Sequence, residues 1–324
     1  MKILGIGNAL VDVLVLINDD SLLEQMGLPK GSMQLIDKDK LNILNEIIRD
    51  MDKSIASGGS AANTIAGLGK LGIESGFIGK TGKDFYGSYF KNDLEKYNVK
   101  SHLIESDETS GVATTFISKN GERTFGTYLG TAANLTSGDL KAEDFKGYEY
   151  LYIEGYLVQN IDLVRTAISL AKEAGLKIIF DLASYNIVEE NRDFLLEIIP
   201  QSVDILFANE EEAKALLNAV PENAVSTLAE QVEIAIVKTG ATGSWIQRGK
   251  EKVFVPALIV DCVDTTGAGD LYAAGFLYGL IKGYSLEDSG KIGTLLAARV
   301  IEAVGARIKA DKWDDIFKTI NKYN

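Results

Sequence analysis

The segment TTGAG at residues 265–269, followed at once by Asp270, sets a glycine-rich turn beside a carboxylate. Gly267 and Gly269 permit backbone angles that other residues resist. The apolar spacing of Leu271, Ala274, Phe276 and Tyr278 predicts a helix beginning near Ala268. Free amides at a helix start, together with the positive end of the helix dipole, form an anion site. Asp270 then has two readings: a first-turn acid that steadies the dipole by about 0.3–1 kcal/mol, or a base placed beside the bound anion.

Other polar residues gather at comparable places. SGGSAAN at 57–63 joins a strand to a helix through Gly58 and Gly59, which let a ligand approach closely, and ends in Asn63 one turn into the helix. Asn8 and Asp12 follow the first apolar run, where open α/β sheets bind ligands at the carboxyl ends of their strands. Each also has a plain structural reading, Asn8 and Asp12 as turn formers and Asn63 as a buried amide. Two other motifs fail. GIGNAL at 5–10 starts as a dinucleotide fingerprint but has Leu10 in place of the last glycine, and GKT at 79–81 lacks the upstream P-loop glycine because Glu74 stands there.

The elements that must hold these residues alternate. The runs at 2–7, 74–79, 150–155, 176–182, 203–209 and 232–240 read as strands buried on both faces, and 61–72, 161–175 and 190–200 carry helical spacing between them. Such alternation predicts a parallel sheet covered by helices on both sides. From Thr266 onward the chain turns helical, over 268–282, 285–303 and 311–322. Period-two texture at 12–17, 31–37 and 111–130, with KNGE as a hairpin turn, predicts inserted antiparallel strands that form either a lid or an edge extension.

Bulk properties narrow the classes. The chain has 324 residues and a net charge of −13, with no basic run to follow a nucleic acid backbone or an anionic membrane. One cysteine, Cys262, precludes an internal disulfide and reads as a small buried hydrophobe, and one histidine, His102, precludes a His-rich zinc site. Asn8 and Asp12 interrupt the apolar N-terminus, so it is not read as a signal peptide, and a cytoplasmic location is expected.

With these motifs in hand, the sequence resembles the ribokinase (PfkB) family of carbohydrate and nucleoside kinases. The likeness runs through GNALVD (7–12), GGSAAN (58–63), GKTGKDFYG (79–87), NGERT (120–124), NEEE (209–212), KTGATG (238–243) and DTTGAGD (264–270), in the family's order. The stretches 27–37, 121–135 and 203–213 look most like its adenosine kinase branch. The resemblance implies a ribokinase-like three-layer α/β/α domain with a central, mainly parallel sheet (1–11, 38–108 and 131–324) and a small inserted β lid (12–37 and 109–130). It implies ATP-dependent transfer of the γ-phosphate to the primary (5′) hydroxyl of a ribose-containing substrate, adenosine or a related nucleoside.

The same resemblance suggests roles residue by residue. Asp270 matches the catalytic base, and the amides of Gly267, Ala268 and Gly269 match an anion hole. Asp12, Gly59 and Asn63 match substrate contacts, with Asn8 and Gly58 beside them. Asn209, Thr239, Gly240, Gly243 and Arg123 fall on the ATP side. Glu212, in N-x-x-E with Asn209, is tied to Mg2+ indirectly or through water, and K+ is a further cofactor to consider. Plain readings stand beside these: a helix cap with an exposed acid for Asn209 and Glu212, a strand turn for 239–243, a surface arginine for Arg123. Asp181 replaces an Asn of many relatives, and either recruits metal or repels phosphate. Leu14, Leu16, Met33 and Leu35 form a nucleobase pocket or lid core. A kinase of free sugars such as ribose or fructose and a non-catalytic sensor are the competing functions, and the oligomer is a monomer or a homodimer through the lid.

Overall fold

The computed structural model describes residues 1–119 and 122–323. Asn120 and Gly121, the centre of the expected KNGE turn, lie outside the described residues. Nine strands form one sheet in the order Glu251–Pro256, Gly243–Arg248, Ile234–Lys238, Ile205–Asn209, Lys177–Asp181, Tyr150–Glu154, Lys2–Ile6, Glu74–Gly82, Val99–Ser106. Pairing is parallel from Ile234–Lys238 through Val99–Ser106, and the last two strands at the other edge fold back antiparallel.

The strand residues explain why both faces are covered. Ile179, Ile205, Phe207, Ile234 and Ile236 pack on one face with Ile65, Leu271, Phe276, Ile292 and Leu296 of the helices Ser60–Lys70, Ala268–Lys282 and Leu286–Ile301. The alternate residues Ile178, Phe180, Leu206, Ala235 and Val237 pack on the other with Val164, Ile168, Leu195 and Val225 of the helices Ile161–Glu173, Arg192–Ser202 and Pro221–Ala229. Successive side chains point to opposite faces, so an unbroken apolar run marks a strand buried twice. Gly67 lets the helix Ser60–Lys70 lie close on Ala268–Lys282, since a methyl built on it would stand 2.9 Å from Cβ of Ala274. This contact later sets Asn63 against Asp270.

A second sheet has five strands in the order Met33–Leu35, Arg123–Tyr128, Gly111–Ile117, Leu10–Leu16, Lys53–Gly58. Two expectations are corrected here. The sheet is mixed, because Leu10–Leu16 runs parallel to Gly111–Ile117 and Met33–Leu35 parallel to Arg123–Tyr128. It also takes its edge strand Lys53–Gly58 from a stretch assigned to the main body, and the helix Lys38–Ile47 covers it through Leu41 and Leu44 against Val13, Val15 and Phe116. The strand is buried only at its Ser57–Gly58 end, so it carries no period-two signal in sequence.

The register puts Asp12, Leu14 and Leu16 on one face with Leu35, Met33, Phe125 and Arg123. That face is not the packed one. Leu16, Met33 and Leu35 are 69%, 57% and 63% exposed, which rules out lid core for them. Among the described residues no helix is long and apolar enough to cross a membrane.

Candidate active site

The carboxyl ends of adjacent parallel strands deliver polar residues to one edge of the large sheet. Asn8 follows Lys2–Ile6, and Glu154, Asp181, Asn209 and Lys238 are the last residues of their strands. Ligands of open α/β sheets bind at such an edge because the strand ends leave loops there instead of helix-packed surface. Facing it is the helix Ala268–Lys282, entered through Gly267 at φ +76°, where a side chain would also strike Ala306. Asp181, Asn209 and Lys238 of this edge and Ala268, Gly269 and Asp270 of the helix border a cavity of about 610 Å³, which Gly267 does not line.

Asp270 stands on the first turn of this helix and is half-buried. Ser60 Oγ donates to its Oδ1 at 2.7 Å and Asn63 Nδ2 to its Oδ2 at 2.9 Å. Loss of hydration raises its carboxyl to about 6 against the pull of Asn63 and Ser60, with Asp181 adding to the rise and Lys238 opposing it. Of the amides before it, that of Ala268 turns back to the Thr265 carbonyl at 3.1 Å, while among the described residues those of Gly267 and Gly269 have no backbone acceptor. Of the three amides expected to form an anion hole, the tight turn into the helix therefore uses one.

Asn209 and Glu212 form a capping box: Asn209 Oδ1 accepts from the amides of Glu211 and Glu212, and Glu212 accepts from the Asn209 amide at 2.7 Å and from Nδ2 at 2.6 Å. The cap reading holds, yet Glu212 is buried, not exposed, and burial raises its carboxyl to about 7. Gly240 and Gly243 line the cavity with Asn209, Glu212, Ala268, Gly269 and Asp270. Thr239 does not, since its hydroxyl donates to the Gly243 carbonyl at 2.9 Å and shapes the turn.

The remaining predicted residues gather around Asp270 without lining the cavity. Gly59, at φ +91°, must lack a side chain because a Cβ would lie 2.2 Å from the Asn8 carbonyl oxygen. Gly58 leaves room for the carboxylate of Asp12, whose own burial raises it to about 6 against the charges of Arg307 and Arg123. Arg123 pairs with Asp264 at 2.5 Å and donates to Thr266 Oγ1 at 2.7 Å, so it braces the loop before Gly267 and is not on the cavity wall. Cys262 is exposed on that wall, contrary to the expectation of a buried hydrophobe, because it sits in the irregular loop ahead of the helix.

The sequence reading missed four site residues. Glu154, 1% exposed, accepts from the Asn8 amide, from Asn8 Nδ2 and from the Ala61 amide. Arg307 donates to Asn63 Oδ1 at 2.6 Å and to Ser57 Oγ at 2.7 Å. Ser60 and Lys238 complete the set. Glu154 at the end of an apolar strand was the available signal, since an acid there must be satisfied; Arg307 gives none, lying 244 residues from its partner.

The raised carboxyls have a stability consequence. Asp12 and Asp270 titrate near 6 and Glu154 and Glu212 near 7 in the folded chain, but near 4 when unfolded. Between these values the folded state holds more protons, so this contribution is full below about pH 4 and is lost as pH rises through 6 to 7. Thermal unfolding is expected to show a higher Tm at pH 6 than at pH 8; the opposite order would contradict the burial of these acids.

A doubly wound sheet whose strand ends face a helix start, with a carboxylate on its first turn, has the parts a phosphotransferase needs, and the relatives of this chain are kinases. The pattern of the pfkB family carbohydrate kinases matches residues 31–313, and the chain belongs to that family. It superposes on a probable sugar kinase from Rhizobium etli over 98% of both chains, with TM-score 0.87 and 32% identity. On the adenosine kinase from Sinorhizobium meliloti it covers 98% of this chain and 99% of that one, with TM-score 0.86 and 35% identity. A nucleoside kinase from Methanocaldococcus jannaschii is 30% identical over 278 residues, 82% of this chain and 86% of that protein.

Proposed function

We propose that this kinase transfers the γ-phosphate of ATP to the primary hydroxyl of a nucleoside, with adenosine the first candidate. The observation that carries the nucleoside reading is the open face of the small sheet. Leu14, Leu16, Met33 and Leu35 share it with Asp12, so an apolar surface suited to a flat base adjoins a carboxylate suited to ribose hydroxyls. The 35% identity to an adenosine kinase along the whole chain supports the same choice.

In this reading Asp12 and Asn63 hold the sugar so that its hydroxymethyl points at Asp270. Asp270 removes the hydroxyl proton as that oxygen bonds to the γ-phosphorus and the bond to the β-γ bridging oxygen breaks. The amides of Gly267 and Gly269 stabilise the charge on the transferring group. Mg2+ usually keeps several waters and binds through one or two carboxylates and substrate phosphates, and Glu212 on the cavity wall would hold it there, indirectly or through water. That ion would neutralise phosphate charge.

Because Asp270 is raised to about 6, the acid limb of turnover is expected near pH 6 and not near 4, as a pH–rate profile would show. The deciding experiment is ADP release with adenosine, other nucleosides, ribose and fructose as acceptors. Preference for a free sugar would replace the nucleoside assignment.

A further inference from the structure

We infer that Arg307 is a positioning residue for the transfer: it fixes which way round the Asn63 side-chain amide sits, and through Asn63 it orients the carboxylate of Asp270. The inference rests on the phosphotransfer reading above and adds a residue to it.

The Asn63 amide has nearly the same shape either way round, with one end that accepts hydrogen bonds and one that donates them. Asn63 is 4% exposed, so its partners in the protein choose the orientation. Nδ2 donates to Asp270 Oδ2 at 2.9 Å, and Oδ1 accepts from Arg307 Nη1 at 2.6 Å. Turned over, the amide would set its NH2 against a guanidinium that has only donors. Asp270 imposes the same orientation only while it is ionised. Once it has taken the hydroxyl proton, Arg307 still holds the amide in place. One hydrogen of Nδ2 and one lone pair of Oδ1 are left for a hydroxyl of the acceptor.

Arg307 is itself firmly held, in the loop between the helices Leu286–Ile301 and Trp313–Ile320. Nη2 donates to Ser57 Oγ at 2.7 Å, Ser57 donates in turn to Asp93, and the guanidinium lies over the Tyr97 ring, 5.3 Å from its centroid. A planar fork serves Asn63 and Ser57 at once. The two residues before it are tied to the turn that leads into Asp270. The Gly305 amide donates to Asp264 Oδ2 at 2.6 Å, and a methyl built on Gly267 would stand 2.7 Å from Cβ of Ala306. The loop thus braces the turn and Asn63 together. A competing role for Arg307 is counter-ion to the buried Asp93, but Nη2 stands 3.9 Å from Asp93 Oδ2, a looser contact than the bond to Asn63.

Arg307→Met is the test, beside Arg307→Met/Asp93→Asn, which removes both charges and guards against misfolding from an unpaired buried acid. Turnover is measured by ADP release with adenosine, or with the acceptor that replaces it in the screen above. Both variants are expected to lose ~10–100-fold in kcat, the scale of a misplacement by about 1 Å, and to show a raised KM for the acceptor. The KM for ATP should not change, because neither Arg307 nor Asn63 lines the cavity. Loss of folded protein alone would lower kcat and leave both KM values where they were. In an Asn63→Ala chain, adding Arg307→Met should change kcat by no more than ~2-fold, since the group through which Arg307 acts is already gone.

Recovery of wild-type kcat in Arg307→Met/Asp93→Asn would make Arg307 only the counter-ion of Asp93 and overturn the inference. So would an equal loss of kcat with and without Asn63, or unchanged kcat and acceptor KM in Arg307→Met. A wild-type chain that releases no ADP with any acceptor would overturn the phosphotransfer reading, and this inference with it.

Discussion

Asp270→Asn is expected to lower turnover by about 10²–10⁴-fold or more while ATP still binds. The substitution keeps the shape of the side chain and an oxygen that can accept from Ser60 or Asn63, the two groups that orient the carboxylate. It removes the capacity to take a proton at neutral pH. Nucleotide affinity should persist because the other residues of the cavity wall, Asn209, Gly240, Gly243 and Gly269 among them, are untouched by the substitution. Above pH 7 the variant should be no less stable than the wild type, since an ionised carboxylate that burial disfavours has been replaced by a neutral amide. ADP release and calorimetry with ATP check both halves. Wild-type turnover in the variant would remove Asp270 from the mechanism.

The second large effect is expected from Glu154→Leu. Glu154 Oε1 accepts from the Asn8 amide at 3.2 Å and Asn8 Nδ2 at 2.9 Å, and Oε2 from the Ala61 amide at 2.9 Å. It joins the end of the first strand to the start of the helix that carries Ser60 and Asn63. Leucine leaves these donors without their acceptor, and a buried unpaired donor costs about 1–3 kcal/mol. The penalties do not add fully, and losing the carboxylate relieves its own burial, which raises it to about 7. A net destabilisation of roughly 2–4 kcal/mol is expected in urea unfolding, with a raised KM for the acceptor because Asn8 and Gly59 no longer hold their positions. Unchanged stability and KM would show that water replaces the carboxylate.

The balance between Asp270 and Glu154 illustrates what was legible. DTTGAGD announced itself because a glycine turn, a helix start and an acid are contiguous, and each has a local cause. The helix Ala268–Lys282 begins where the apolar spacing put it. The doubly buried strands were equally plain, since their runs of Ile, Val and Phe leave few alternatives. The small sheet was legible in its strands but not in its pairing: period two marks a strand without saying which neighbour it meets or in which direction. Hence the parallel pairs and the edge strand Lys53–Gly58 came only from the folded chain.

The same division runs through the site. By itself the sequence determined the family, the layered α/β plan and the residues whose placement depends on local backbone, among them Gly59, Gly267 and Asp270. Tertiary structure alone decided the charge arrangement. Arg123 found Asp264, Lys238 found Asp181, and Arg307 found Asn63 across 244 residues. Long side chains reach partners set by which strand ends lie side by side, and that order, with Lys2–Ile6 between Tyr150–Glu154 and Glu74–Gly82, is a property of the whole sheet and of no single segment.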